Sequence, residues 1–88
     1  MEIYHSDKPG KRFYAQIGDK RIYFGQPGGY TYIDGASDAV RAAYRKRHFA
    51  NKKERRYLEN GIMSPAVLSW HILWGESQDI HKNIYSFK

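Results

Sequence analysis

Alternating apolar and polar positions predict an antiparallel hairpin near the start of the chain. Residues 12–17 and 21–26 are strand-like runs on either side of Gly18-Asp19, a pair typical of a two-residue turn. That turn would place Phe13 opposite Phe24 and gather the apolar side chains of both runs on one side. Because a lone hairpin is barely stable in water, other elements must cover its apolar side.

The residues that flank the hairpin are less regular. Residues 1–10 contain several turn formers and no sustained periodicity, so we expect a loose leader followed by a single domain over residues 11–88. Residues 25–29, Gly-Gln-Pro-Gly-Gly, predict a flexible turn. Residues 30–33, Tyr-Thr-Tyr-Ile, have strand composition. The sheet is therefore either the hairpin alone or a three-stranded sheet to which these residues return.

Helical periodicity replaces alternation after Ser37. A first helix is predicted from about Asp38 to Ala50, capped by Ser37 or Asp38. One of its stripes includes Val40 and Tyr44, and another is cationic and is expected to face solvent. Residues 52–60 favour a second, short helix.

Two more helices are indicated further along the chain. Ser64-Pro65 is a clear helix start, with Ser as N-cap and Pro at the first helical position. A final helix places Ile80, Ile84 and Phe87 on one face. Because strands come first and helices afterwards, the sequence predicts an α+β fold. Its N-terminal antiparallel β-hairpin or small three-stranded sheet would pack against three to four C-terminal helices.

Composition narrows the class of protein. A chain of 88 residues makes one domain, and its eight Tyr, four Phe and two Trp partly compensate for the small core of a short chain. There are no cysteines, which excludes a disulfide framework and a thiolate metal site. The start has no signal-peptide pattern, and the longest apolar run is too short for a bilayer. We expect a soluble intracellular protein with no membrane partner.

Positive charge is concentrated in residues 41–56, RAAYRKRHFANKKERR. This stretch holds eight of the fifteen Lys and Arg residues and one acid, Glu54, whereas the whole chain has a net charge of +6. Clustered cations favour phosphate, so we expect contacts with nucleic acid, double-stranded DNA first, with little sequence preference. The alternative is a solvated surface that only aids solubility. The residues expected to supply the contacts are Arg41, Arg45, Lys46, Arg47, His48, Lys52, Lys53, Arg55 and Arg56.

Two hairpin tyrosines form a second candidate site. Tyr14 and Tyr23 share the polar side of the hairpin with Arg21. Aromatic side chains beside cations hold unpaired bases on the sheets of single-strand-binding proteins, so stacking on bases is the functional interpretation. The structural interpretation is that this side packs against a helix.

The third predicted helix is apolar around most of its circumference. Leu68, Trp70, Leu73 and Trp74 are therefore expected either in the core or at a subunit interface. Because a small aromatic-rich domain gains buried area by pairing, we also expect a homodimer.

No arrangement of residues indicates catalysis, a metal or a cofactor. The four histidines, His5, His48, His71 and His81, show no metal-ligand spacing, and no nucleophile–base–acid set stands out. The Gly-Gln-Pro-Gly-Gly run lacks the Lys-Ser or Lys-Thr ending of a phosphate-binding loop. We expect a protein that is not an enzyme and needs no cofactor.

Several motifs resemble a family. They are Ile22-Tyr23-Phe24-Gly25 with the Gly29 turn, Tyr44-Arg45-Lys46-Arg47-His48, and Leu68-Ser69-Trp70-His71-Ile72-Leu73-Trp74-Gly75. In this order they are similar to a small domain of unknown function in large double-stranded DNA viruses of eukaryotes, with relatives in phages. The likeness covers residues 11–84, more loosely over the final helix. It departs over residues 52–63, which are more basic here.

This resemblance implies a viral origin but carries no activity. Combined with the charge, it leads to the hypothesis of a DNA-binding protein of a large DNA virus. It would act in the host nucleus or a cytoplasmic viral factory, or be packaged in the virion. The alternative hypothesis is a virion structural or protein-interaction module that uses the Trp-rich helix.

Overall fold

A computed structural model describes residues 2–61 and 63–87 and shows the expected α+β arrangement, with a sheet first and four helices after it. The antiparallel sheet has the order β1-β2-β3, with β1 at Glu2–His5, β2 at Phe13–Ile17 and β3 at Lys20–Phe24. The helices are α1 (Asp38–Ala50), α2 (Lys52–Glu59), α3 (Pro65–Leu68) and α4 (Ile80–Phe87). A 3₁₀ turn at Tyr32–Asp34 precedes α1, and a π-helical turn at Ser69–Leu73 continues α3.

The hairpin register is the one that the alternation predicts. Phe13 pairs with Phe24, Tyr14 with Tyr23, and Ile17 with Lys20 across the turn at Gly18. Gly18 has φ +58, a left-handed conformation that favours glycine. The predicted segregation of apolar and polar side chains is confirmed, since Phe13 and Phe24 are buried in the core.

The third strand comes from the residues that were expected to be a loose leader. Glu2–His5 forms β1 and pairs antiparallel with β2, so the leader prediction is wrong for these residues. Ile3 packs against the core cluster, whereas its neighbour Tyr4 is 48% exposed. The alternation is real but only four residues long, and a tight turn at Ser6 follows at once, where the Ser6 hydroxyl accepts the Lys8 N–H at 2.9 Å.

Residues 30–33 do not return to the sheet, so the prediction of a strand there is also wrong. Asp34 Oδ2 accepts both the Thr31 N–H at 2.9 Å and the Thr31 hydroxyl at 2.7 Å. The same carboxylate accepts hydrogen bonds from both terminal nitrogens of Arg12, at 2.7 and 2.6 Å. These bonds close a 3₁₀ turn, because a side-chain acceptor at Asp34 satisfies the backbone donor that a strand would have paired.

Helix starts follow from their capping residues. Ser37 accepts the Val40 N–H at 3.2 Å, Asn51 accepts the Lys53 and Glu54 N–H groups at 3.1 Å, and Ser64 accepts the Val67 N–H at 3.2 Å. Each side-chain oxygen satisfies N–H groups that the first turn leaves free. The predicted helices at residues 38–50 and 52–60 are thereby confirmed to within one residue.

The core lies between the sheet and the segment formed by α3 and its π-helical turn. Half of its buried residues come from the first 36 positions, and the other half come from this segment and Trp74, which directly follows it. The fully buried side chains of Phe24, Leu68 and Ile72 meet there. The buried residues of the core cluster are Phe13, Ala15, Phe24, Ala36, Leu68, Ile72, Leu73 and Trp74.

Candidate nucleic-acid interface

Two of the arginines that were expected to contact phosphate point into the protein. Arg41 Nε donates to the Gly75 carbonyl at 2.7 Å and to the Trp74 carbonyl at 3.3 Å. Arg45 donates to the Trp74 carbonyl from two nitrogens, at 3.1 and 2.9 Å, and its guanidinium lies 4.5 Å from the centre of the Trp70 ring. These arginines therefore join α1 to the end of the π-helical turn.

The π-helical turn explains why α1 needs cations there. The Trp74 N–H bonds to the Ser69 carbonyl at 3.0 Å, and the chain then leaves the helix, so the last carbonyls of the turn require donors from elsewhere. Arginine at a helix C-terminus also interacts favourably with the negative end of its dipole. Burial, together with the neighbouring Arg41, lowers the pKa of Arg45 from its ordinary value.

His48 completes the inward side of α1. Its Nδ1 lies 2.6 Å from Glu54 Oε2, and its ring centre lies 4.1 Å from that of Tyr44. Tyr44 in turn stacks on Trp74, with ring centres 4.2 Å apart and planes 9° apart. Burial first, and Glu54 second, raises the pKa of Tyr44 to about 12. His48 thus binds the acid of the basic stretch rather than facing solvent freely.

The prediction that the cationic stripe of α1 faces solvent is therefore wrong, whereas Tyr44 of the apolar stripe packs inward as expected. Arg41, Arg45 and His48 form the side that packs against the protein, whereas Val40 is 47% exposed. An arginine can bury its stem and still place its guanidinium on carbonyl groups, which a simple division into polar and apolar residues does not anticipate.

The remaining six cations of the stretch are exposed. We call them the basic strip. Among the described residues two carboxylates accompany them, but Glu54 is held by His48, and Glu59 lies 3.3 Å from Arg55 in an exposed pair of little energetic weight. The other five make no ion pair in the described part of the chain. The basic strip consists of Lys46, Arg47, Lys52, Lys53, Arg55 and Arg56.

Asn51 positions the two halves of the basic strip. Its backbone leaves α1 with φ −74 and ψ 114, and its side chain caps α2, so the second helix begins one residue after the first ends. This sharp corner brings the last turn of α1 next to the first turn of α2. The basic strip therefore continues from α1 into α2 across this corner.

The tyrosines expected to stack on bases form a ladder across all three strands. Tyr4, Tyr14 and Tyr23 are register partners, with 5.3 Å between adjacent ring centres. Their side of the sheet is opposite the core, and none of them belongs to the core cluster of the described residues. Packing against a helix is thus not what orders them. Tyr4 is the member that the sequence prediction missed, because it lies in the unrecognised strand.

Cations already cover part of this ladder. The Arg21 guanidinium lies 4.5 Å from the Tyr14 ring centre, and Lys8 Nζ lies 5.1 Å from that of Tyr23. The Tyr23 hydroxyl donates to Asp7 at 2.9 Å, and this bond, with Arg21 beside it, holds the pKa of Asp7 below its ordinary value. The ladder is thus a stabilising cross-strand cluster that leaves Tyr4 as its most open ring.

Most of the Trp-rich helix is buried in the core. Leu68, Leu73 and Trp74 are buried, and Trp70 is half-buried beneath Arg45 and Phe49. These residues were expected either in the core or at a subunit interface, and the described structure places them mainly in the core. No helix among residues 2–61 and 63–87 has the length and apolarity needed to cross a membrane. The same residues contain no group of three or more His, Asp or Glu side chains arranged to hold a metal ion.

Comparison with known proteins places the chain among viral proteins. Residues 1–48 match a family of unknown function, DUF5754. The uncharacterized protein L851 of Acanthamoeba polyphaga mimivirus is 44% identical over an alignment of 82 residues. The match covers 84% of this chain and 80% of that relative. No solved structure matches. The relative supports the expected viral origin, and the phage relatives stay a prediction. The chain therefore belongs to the DUF5754 family of unknown function.

Proposed function

We propose that the protein binds nucleic acid without catalysing a reaction, and that double-stranded DNA is its main ligand. The basic strip supports this proposal more than any other feature. It contains six exposed cations on two consecutive helices, and among the described residues of these helices Glu54 is paired with His48 and Glu59 with Arg55. A surface so poor in carboxylates attracts polyanions, and phosphate contacts carry most sequence-independent affinity.

The geometry of the strip favours backbone contact over base reading. Its cations are long, exposed side chains on two short helices that meet at Asn51. Flexible Lys and Arg side chains reach phosphates without fixing a base register, so little sequence preference is expected. With about four phosphate contacts, affinity would fall by about two orders of magnitude between 50 and 200 mM salt.

The viral relative supports a place of action. A DNA-binding protein of a large DNA virus meets its ligand where viral genomes are copied or packaged. We accordingly propose the infected cell's nucleus or viral factory, or the virion itself, as its location. The rival hypothesis of a virion module that binds through the Trp-rich helix has less support, because Leu68, Leu73 and Trp74 are buried in the core.

We also propose that two copies associate through β1. The free edge of β1, Glu-Ile-Tyr-His, contains neither the Lys nor the Pro that commonly protects an edge strand. Beside it lies an apolar groove whose walls include Ile3, Ile80 and Ile84. Pairing there would double the number of basic strips and increase avidity for a long polyanion. Light scattering on the purified protein would give a mass of two chains, and a single-chain mass would contradict it.

Charge reversal tests the DNA proposal. Lys52→Glu combined with Lys53→Glu changes two cations in the first turn of α2, where acidic residues suit the helix dipole, so the fold should survive. We expect at least a tenfold loss of duplex affinity and a salt slope reduced by about 2. Fluorescence anisotropy with a labelled random-sequence duplex, repeated from low to physiological salt, measures both quantities.

A matched control separates local contacts from overall charge. Lys20→Glu with Lys82→Glu changes the net charge equally at two exposed positions on β3 and α4, away from the strip. This control should alter affinity by less than about threefold, because salt screens exposed charges that do not contact the duplex. Equal losses in the two double variants would refute the strip as the binding surface.

A further inference from the structure

A cleft separates the glycine-rich turn after β3 from α1. Its volume is about 400 Å³, within the range of small-ligand sites. Gly25–Thr31 forms one wall, and Tyr44 and Arg47 of α1 lie on the other. Pro65 and Ser69 close one end.

The glycine-rich wall is held firmly against the core. Gly25 has φ +83, and a Cβ atom there would lie 3.1 Å from Arg12 Cβ and 3.2 Å from Leu73 Cδ1. Only glycine fits so close an approach in this backbone conformation. The Gly29 N–H closes the turn by donating to the Gln26 carbonyl at 3.1 Å.

The chemistry of the lining is complementary to an anion that carries a flat apolar group. Lys11 and Arg47 bring positive charge, Ser69 brings a hydroxyl, and no carboxylate is among the described residues that line the cleft. Tyr30 lines it too and is 66% exposed, which leaves its ring available for stacking. Buried Leu73 and Trp74 supply apolar surface.

Arg47 connects this cleft to the basic strip, since it belongs to both. A strand whose phosphates follow the strip would therefore pass the cleft entrance. We propose that the cleft binds one unpaired nucleotide, with its phosphate on Lys11 and Arg47 and its base against Tyr30. The choice of a nucleotide among flat anions rests on the proposed function.

Titration with small ligands tests the cleft without any duplex. We expect adenosine monophosphate to shift the backbone amide signals of cleft-lining residues in two-dimensional NMR spectra, namely Gly25, Gln26, Gly29, Tyr30, Thr31 and Ser69. Inorganic phosphate should shift them more weakly, and adenosine without phosphate should bind at least about tenfold more weakly than the monophosphate. No shift in these signals at about 10 mM monophosphate, a concentration that detects very weak binding, would overturn the proposal.

Two exposed substitutions divide the anion from the base. Lys11→Glu should weaken the binding of both the monophosphate and inorganic phosphate by about tenfold. Lys20→Glu, an equal charge change on β3, should leave both affinities unchanged. Tyr30→Ala should weaken the binding of the monophosphate by at least about fivefold and leave the affinity for inorganic phosphate unchanged. Equal behaviour of Lys11→Glu and Lys20→Glu would refute the site.

The source of the nucleotide is resolved with oligonucleotides. A duplex with a short 5′-phosphorylated overhang should bind more tightly than a blunt duplex, and Lys11→Glu should abolish the difference. If the monophosphate binds but the overhang gives no advantage, the cleft takes a free nucleotide instead. The Lys52→Glu/Lys53→Glu variant should keep its affinity for the monophosphate, so failure of the cleft and failure of the strip are distinguishable.

Discussion

Arg45 and Lys46 are neighbours on α1 that the structure assigns to opposite tasks. Arg45 donates two hydrogen bonds to the Trp74 carbonyl and covers the Trp70 ring, whereas Lys46 is exposed. Arg45→Ala removes both bonds and leaves that carbonyl only the longer contact from Arg41, at 3.3 Å. Hydrogen bonds from a charged donor are worth about 1.5–3 kcal/mol, so we expect the free energy of unfolding to fall by about 2–3 kcal/mol.

A loss of that size is easily measured in a chain of 88 residues. It corresponds to a fall in melting temperature of about 10–20 °C for a domain of this length. Lys46→Ala should change the free energy of unfolding by no more than about 0.5 kcal/mol, as exposed substitutions do. Circular dichroism during heating, at equal protein concentration and salt, compares the two variants directly.

Duplex binding, measured well below both melting temperatures, completes the test. Lys46→Ala should weaken it and lower the salt slope by about 1, whereas folded Arg45→Ala should bind like the parent protein. Arg45→Lys keeps the charge but not the two-nitrogen fork, so it should still destabilise the fold. The inward assignment is refuted if Arg45→Ala melts like the parent, or if its folded form loses duplex affinity.

Two further predictions concern the packing around the sheet and the π-helical turn. A Cβ atom at Gly75 would meet the His71 carbonyl oxygen and lie 2.6 Å from Asn83 Cγ. Gly75→Ala should therefore reduce the free energy of unfolding, measured by urea titration, by about 3 kcal/mol. A variant as stable as the parent would contradict this packing. The bonds from Arg12, followed by those from Thr31, hold the pKa of Asp34 well below its ordinary value of 3.8. Because the folded-state pKa is the lower one, this stabilisation is complete above about pH 4 and is lost as pH falls through the folded pKa. Urea titrations should show a smaller acid-induced loss of stability in Asp34→Asn than in the parent, and identical pH profiles would contradict the role of this carboxylate.

Local rules predicted the elements with strong short-range signals. The register of β2 and β3 followed from alternation about Gly18-Asp19, and the start of α3 followed from Ser64-Pro65. These features depend on residues close in sequence, where turn chemistry and capping decide the structure. Strand β1 was not predicted for the opposite reason, because its four residues become a strand only by pairing with β2.

The inward arginines could not be predicted from α1 alone. Their acceptors, the carbonyls of Trp74 and Gly75, lie about thirty residues further along the chain and become available only because the π-helical turn ends there. The one local signal was that Arg41 and Arg45 are four residues apart and flank Tyr44, which places all three on one side of a helix. The cleft proposed to bind a nucleotide is less predictable still, since four separate segments of the chain form it.

The family match and the folding unit are different stretches of the chain. The match covers residues 1–48, which contain the sheet and most of α1. Half of the buried core cluster and the carbonyl acceptors of the α1 arginines lie beyond it, in α3, its π-helical turn and the residues just after that turn. The matched region therefore lacks the backbone carbonyls that Arg41 and Arg45 bind. Lys11 and Arg47 of the cleft lie inside the match, whereas four of the six strip cations lie in α2 outside it. The two cations proposed to bind phosphate in the cleft thus lie within the family match, whereas most of the basic strip lies outside it.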